Sequence, residues 1–307
     1  MEQSILLHNP GAGDEEHLKS DLIRSLEKEG FGGIYYSVKK DDTWTQQLDR
    51  ADFAIVAGGD GTVRRVAKEL VKRSLLEKKI LLAVLPMGTA NNLAFALGID
   101  STVKYKSHIK KWKKSIRQPF DVGVLQNASG TDFFLEGAGF GVFPHLIQQM
   151  DNILESDTEK AKDELNLAFE TLHTLILDSP AENYWLKTDK GIHEGRCILL
   201  EIMNIPSIGP NLLLAPQAAM NDGLLDVVLV EEDQREDFAA YIKKIMKGKT
   251  SAFPFKTFKT NTVSIDYTGT YMHIDDELML TLQGPITIEV RENVLEFLTP
   301  ATWVINK

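Results

Sequence analysis

Residues 53–67, FAIVAGGDGTVRRVA, set a carboxylate, Asp60, among Gly58, Gly59 and Gly61, between an apolar run and a helix-like run. Glycine lets the main chain approach a ligand closely, and the first turn of a helix leaves N–H groups unpaired and aimed at an anion. Phosphate is the natural anion there, and an aspartate beside it can hold a divalent cation, directly or through water. A strand-to-helix turn capped by Asp60 explains this stretch alone equally well. Two further loops shift the balance: HNPGAG at 8–13 and PMGT at 86–89 offer similar glycine chemistry, and a capping turn needs neither. The usual lysine phosphate loop is absent, because GKT at 248–250 has no glycine five residues before Gly248, and no GxGxxG opens the first helix.

Such loops need a scaffold. SILLH, GIYYSV, DFAIVA and ILLAVLP read as strands, and DEEHLKSDLIRSLEKEG, VRRVAKELVKRSLLEKK and TANNLAFALG as helices, with Asp14 a plausible cap and Gly30 a stop. Strands alternating with helices predict an α/β domain, a parallel sheet with helices on both faces. Ligands collect at the carboxyl ends of such strands, where the three loops fall. From Pro119 the pattern changes to short strand-like runs separated by Gly, Asp and Asn turns, which predicts an antiparallel β-sandwich with a helical insert at about 144–178. The last run, VLEFLTPATWVINK, is expected to return to the first domain. The expected domains are therefore 1–118 with 294–307, and 119–293; 307 residues suit two cores.

Bulk properties exclude several classes. A formal charge of −10 gives no support to a nucleic-acid partner. The single cysteine, Cys197 in RCILLEIMNI, reads as core in a reducing compartment. The opening MEQSILLHNP lacks the features of a secretory signal, and the most apolar region is broken by Pro86, Gly88 and two asparagines, so no transmembrane segment is expected. The expectation is a cytoplasmic protein whose membrane contact is peripheral, at the inner face. The seven histidines show no ligand spacing and no Gly-x-Ser-x-Gly elbow exists.

GGDGTV with LPMGTANNLA, preceded by NPGAG and followed by APQAAMNDGLLDVVLV and HIDDELML, resembles the diacylglycerol kinase catalytic domain family, in particular its bacterial lipid kinases. The resemblance spans nearly the whole chain; GGDGT alone is also similar to NAD kinases and, more loosely, phosphofructokinases. It implies an NAD kinase/diacylglycerol kinase-like two-domain fold with the active site in the cleft between domains, ATP as donor, Mg2+ as cofactor and a lipid hydroxyl, first of all diacylglycerol, as acceptor. By motif match, Asn9, Pro10, Gly11, Ala12 and Gly13 would line the nucleotide phosphates, Gly58, Gly59, Asp60, Gly61 and Thr62 would form a second phosphate loop, and Thr89 would add a hydroxyl. Ser37 would be a further nucleotide contact, and Asp60 would hold the magnesium ion.

The family's Asp-Gly-Glu sequence, which handles the acceptor proton, reads Asp275-Asp276-Glu277 here; Asp275 and Glu277 match, and Asp276 departs. From the residues alone, an exposed acidic hairpin turn is the simpler reading. MNDGLL resembles a structural magnesium site, with Asp222 and the main-chain carbonyl of Leu224 matching and Ala219 where some relatives supply another ligand. Lys110, Lys111, Lys113 and Lys114 around Trp112 read first as a solvated helix face and second as a dock for anionic lipid. The stripe Leu165, Phe169, Leu172, Leu175 and Ile176 reads as core or as the wall of a lipid pocket. A homodimer is compatible with all of this. The competing functions are a sphingoid or other lipid-alcohol kinase, an NAD kinase-like enzyme, and a non-catalytic nucleotide-binding regulator.

Overall fold

A computed structural model of the chain describes residues 4–12, 19–39, 42–73, 79–127, 130–156, 164–249, 252–280 and 284–301. The chain divides into two compact units, Met1–Asp121 with Glu292–Lys307, and Val122–Arg291.

In the first unit, strands β1 (Ser4–His8), β2 (Ile34–Ser37), β3 (Phe53–Gly58) and β4 (Leu81–Pro86) alternate with helices α1 (Lys19–Glu29), α2 (Asp60–Val71), α3 (Asn92–Ala96) and α4 (Tyr105–Lys111). β1 pairs with β2 and β3, and β3 with β4, all in parallel. β1, β3 and β4 are buried almost throughout, which is why they read as continuous apolar runs rather than as alternating ones. On one face, Leu6, Ile55 and Ala83 pack with Leu22 and Leu26 of α1 and Ile109 of α4. α2 starts at Asp60 itself, three residues before the helix-like run expected from the sequence, so the glycine loop is already helical. A 3-10 helix at Thr43–Arg50, which the sequence reading missed, buries Trp44.

Strand β5 (Ile116–Asn127) carries the chain into the second unit. There follow β6 (Gly130–Phe134), β7 (Gly137–Gly141), α5 (Val142–Ser156), α6 (Glu164–Asp178), β8 (Glu182–Thr188), β9 (Gly191–Met203), β10 (Ser207–Ile208), β11 (Leu212–Leu213), β12 (Leu225–Glu231), α7 (Arg235–Met246), β13 (Lys256–Thr260), β14 (Thr262–Tyr267), β15 (Tyr271–Ile274) and β16 (Glu277–Leu280). Their recorded pairings are antiparallel, as expected for a sandwich: β16 with β15, β15 with β7, β7 with β9, β9 with β8 and β12, β8 with β14, and β12 with β13. Period-two patterning is plain in β12, where Leu225, Val227 and Leu229 enter the sandwich interior while Val228 and Val230 join the helices. Leu172, Leu175 and Ile176 of α6 are buried in that helical layer, with Phe169 partly buried against it. α7 was not anticipated, although Phe238, Ala239, Tyr241 and Ile242 carry helical spacing.

The last strand, β17 (Ile286–Thr299), serves both units. Residues 286–289 lie antiparallel to β14, and Glu296 and Phe297 lie parallel beside Leu81 and Leu82 of β4.

Candidate functional site

Asn9, the first residue after β1, ties the loops of the first unit together. Its Nδ2 donates to Thr62 Oγ1 at 3.1 Å, its Oδ1 accepts the Gly11 N–H at 3.2 Å, and its own N–H donates to the Ala57 carbonyl at 2.9 Å. A Cβ at Gly58 would lie 2.5 Å from Thr62 Oγ1, and one at Gly88 would lie 2.5 Å from the Gly59 Cα. The second and third loops thus touch backbone to backbone, which only glycine permits. Asn91, in the left-handed region at φ 56, closes the third loop: its Oδ1 accepts the Gly88 N–H at 2.9 Å and its Nδ2 donates to the Gly88 carbonyl at 2.5 Å.

The result is an open cleft of about 320 Å³ lined by Asn9, Ala12, Val38, Lys39, Gly59, Gly61, Thr62, Arg65, Gly88 and Thr89. It gathers residues from all three loops. Pro10 and Gly11 form an exposed turn following Asn9, and Gly58 sits behind the cleft, giving Thr62 its room. Gly13, like Asp14, lies outside the described residues. Ser37 does not line the cleft; its Oγ is buried without a hydrogen-bond partner, and Val38 and Lys39 take the place expected for it.

Lys39 and Arg65 were missed in the sequence. The signal for Arg65 was there, since it follows Thr62 by three residues and shares its helix face. Arg65 Nη2 makes a 2.6 Å ion pair with Asp42, with both side chains largely exposed. Such a pair is worth about 0–1 kcal/mol, so the guanidinium can turn to a phosphate at little cost.

The Asp60 carboxylate has a structural duty. Oδ2 accepts the Asn92 N–H at 2.9 Å and Oδ1 the Leu93 N–H at 3.1 Å, so Asp60 anchors the start of α3 although it belongs to α2. Among the described residues no group of three His, Cys, Asp or Glu is placed to cage a metal. One carboxylate together with nucleotide phosphates is the donor set magnesium commonly uses, so the site fits that ion only alongside a nucleotide.

In the second unit, Asp275 is buried and sits at φ 52. Its Oδ1 accepts the N–H groups of Leu135, Glu136 and Gly137 at 3.2, 2.8 and 3.2 Å, and Oδ2 accepts that of Leu135 at 3.1 Å. Asn204 Nδ2, donating to the Leu135 carbonyl at 2.9 Å, holds the same segment. The left-handed residue of the acidic turn is Asp275. Asp276 and Glu277 are exposed.

The Asp222 turn, where the resemblance implied magnesium, is organised differently. Lys259 Nζ lies 2.7 Å from Asp222 Oδ2 and 3.2 Å from Asp226 Oδ2, and Asp222 Oδ1 accepts the Leu224 N–H at 3.1 Å. Burial pushes the Asp226 carboxyl up, opposed by Lys259. Burial alone would lower Lys259, but its bond to Asp222 and the charges of Asp226 and Asp222 hold the ammonium above its ordinary value. With one ammonium on both carboxylates, this donor set does not fit a divalent cation.

Trp112 also departs from its second reading. It is buried, with Phe31 and Phe53 packed edge-on at ring-centroid distances of 5.2 and 5.9 Å, while Lys110, Lys111, Lys113 and Lys114 are exposed. The lysines form a solvated face with no aromatic anchor among them.

Residues 3–125 match a family model described as the diacylglycerol kinase catalytic domain, and residues 151–299 match one described as the YegS C-terminal NAD kinase beta sandwich-like domain. The chain is thus similar to the diacylglycerol kinase catalytic domain over residues 3–125 and to the sandwich domain of the same kind of protein over 151–299. The match to a kinase catalytic domain and the kinase-named relatives support a phosphotransferase with an alcohol group as acceptor for this chain. Its relatives include a Shewanella frigidimarina protein named "Probable lipid kinase YegS-like", 27% identical over 82% of this chain and 78% of the relative. A Bacillus subtilis diacylglycerol kinase is 24% identical over 81% of this chain and 80% of the relative. A diacylglycerol kinase structure from Bacillus anthracis superposes with a TM-score of 0.72 over 99% of this chain and 98% of that one, at 20% identity. An NAD kinase from Archaeoglobus fulgidus, solved in complex with ATP, superposes with a TM-score of 0.52 over 97% of this chain and 94% of that one, at 13% identity. These likenesses are of fold. Among the described residues no helix is long and apolar enough to cross a membrane.

Proposed function

We propose that the chain is an ATP- and magnesium-dependent lipid kinase that moves the γ-phosphate of ATP to a lipid hydroxyl, with diacylglycerol as the foremost acceptor and phosphatidic acid as product. The observation that supports this most is the meeting of three glycine loops with Lys39 and Arg65 on one cleft. Phosphoryl transfer is mainly positioning and charge stabilisation, and that cleft supplies hydroxyls, amides and two cations for a polyphosphate. Magnesium, when bound with the nucleotide, offsets the charge that develops on the transferred group; Asp60 is the side chain that would hold it. The loop amides and the Thr62 and Thr89 hydroxyls orient the phosphates, while Lys39 and Arg65 neutralise them.

The acceptor hydroxyl must lose a proton. Of the two matching carboxylates, Asp275 has its oxygens engaged by three main-chain amides, which leaves Glu277, exposed beside it, as the base. A lipid acceptor implies work at a membrane surface, with the lysine face of α4 and the turn after it giving weak, salt-sensitive attraction to anionic headgroups.

Purified protein incubated with labelled ATP, magnesium, and diacylglycerol, sphingosine, undecaprenol or NAD tests the reading. Label entering diacylglycerol is the expected result. Label entering NAD alone overturns the lipid assignment, and label entering nothing points to a nucleotide-binding regulator.

A further inference from the structure

Three neighbouring strands of the second unit place His273 of β15, Gly139 of β7 and Glu201 of β9 in one register line. A Cβ on Gly139 would lie 2.2 Å from the Glu201 carboxyl atoms, so the missing side chain in the middle strand is what lets Glu201 and His273 meet. Both are essentially fully buried, and His273 Nε2 lies 3.0 Å from each Glu201 carboxylate oxygen. On the other side of the ring, Nδ1 lies 2.8 Å from the Asp275 main-chain carbonyl. A carbonyl can only accept, so Nδ1 carries hydrogen, and one further proton is shared between Nε2 and Glu201. Burial raises Glu201 against the pull of His273; burial works against the imidazolium, yet Glu201 and the Asp275 carbonyl hold His273 above its ordinary value.

We propose that Glu201 and His273 are positioning residues for the acidic turn, a buried pair sharing one proton that fixes the Asp275 main chain in its left-handed conformation and so aims Glu277. This rests on the reading that Glu277 serves the acceptor. Asp275 is gripped at its carboxylate by the amides of 135–137, at its N–H by the Gly137 carbonyl at 2.8 Å, and at its carbonyl by His273. The His273 grip acts on the peptide that leads directly to Asp276 and Glu277.

The test compares Glu201→Gln with the double variant Glu201→Leu/His273→Leu. In Glu201→Gln, the amide donates to Nε2 of a neutral imidazole and Nδ1–H still reaches Asp275, so kcat is expected within about twofold of wild type, because the hydrogen-bond chain is preserved. His273→Leu alone would leave Glu201 buried without its partner and endanger folding; replacing both by apolar residues removes that cost. The folded double variant is expected to lose about tenfold to a hundredfold in kcat with KM for ATP unchanged. Amide hydrogen exchange at 275–277 is expected to rise at least about tenfold while β9 stays protected. Wild-type kcat and wild-type exchange in the folded double variant overturn the proposal. If the wild-type protein phosphorylates no lipid but exchange at the turn still rises, the positioning role stands and the kinase reading fails.

Discussion

The Asp60 carboxylate lies 2.9 Å from the amide nitrogen of Asn92, thirty-two residues away along the chain. One side chain therefore belongs both to the phosphate loop and to the framework that keeps the neighbouring loop beside it. Replacing Asp60 by alanine is expected to abolish phosphotransfer and also to lower stability by about 1–2 kcal/mol, the usual cost of losing a helix-start acceptor. Urea unfolding beside a lipid phosphorylation assay checks both. Full activity in that variant would remove Asp60 from the chemistry.

Gly88→Ala places a methyl group against the Gly59 main chain, 2.5 Å from its Cα. A clash with backbone cannot be relieved by a rotamer change, so the loops must part. The expected outcome is a stability loss of about 1–3 kcal/mol and ATP binding at least roughly tenfold weaker by calorimetry. Unchanged ATP affinity would show that the nucleotide does not depend on how these loops pack.

Much of this was legible beforehand. The first domain announced itself because buried parallel strands are unbroken apolar runs, and the loops because glycine, asparagine and threonine clustered where such strands end. The grip of Asn92 on Asp60 was not legible, nor that of Leu135–Gly137 on Asp275, since nothing in a sequence says which distant amide a carboxylate will find. Lys39 and Arg65 were hidden for another reason: exposed cations are common, and only the fold shows which ones border a cleft. Lys259 is the sharpest case. Asp222 and Leu224 matched the expected metal ligands, and the ammonium that sits there instead comes from a strand more than thirty residues on.

Lys259→Met strips that ammonium from Asp222 and Asp226, of which Asp226 is 4% exposed. The expected loss is about 1–3 kcal/mol at neutral pH, below the roughly 3–5 typical of a fully buried pair because Lys259 itself is partly exposed. Millimolar magnesium should raise the melting temperature of the variant and leave that of the parent unchanged. Because the Lys259 value is raised on folding, its contribution is complete below about pH 10.4 and is lost as pH rises through the folded value. The stability gap between parent and variant should accordingly close in alkaline buffer. Equal melting temperatures for the two proteins at pH 7 would deny the ammonium its role.

Cys197 is fully buried in the sandwich interior, and burial, then Glu231 and Glu182, push its thiol up to about 12. Thiolate is the reactive form, so at pH 8 a disulfide reagent should label this cysteine only as fast as the chain unfolds. Rapid labelling in native buffer would show that the interior opens far more readily than its packing implies.

β17 supplies, from the far end of the chain, the strand that lies beside β4. During synthesis the first sheet therefore waits with one flank bare until nearly three hundred residues have left the ribosome. A gene cut after residue 121 would yield a half-finished sheet prone to clumping, whereas a circularly rearranged gene that joins the last strand directly to the first would let the phosphate-loop half fold by itself.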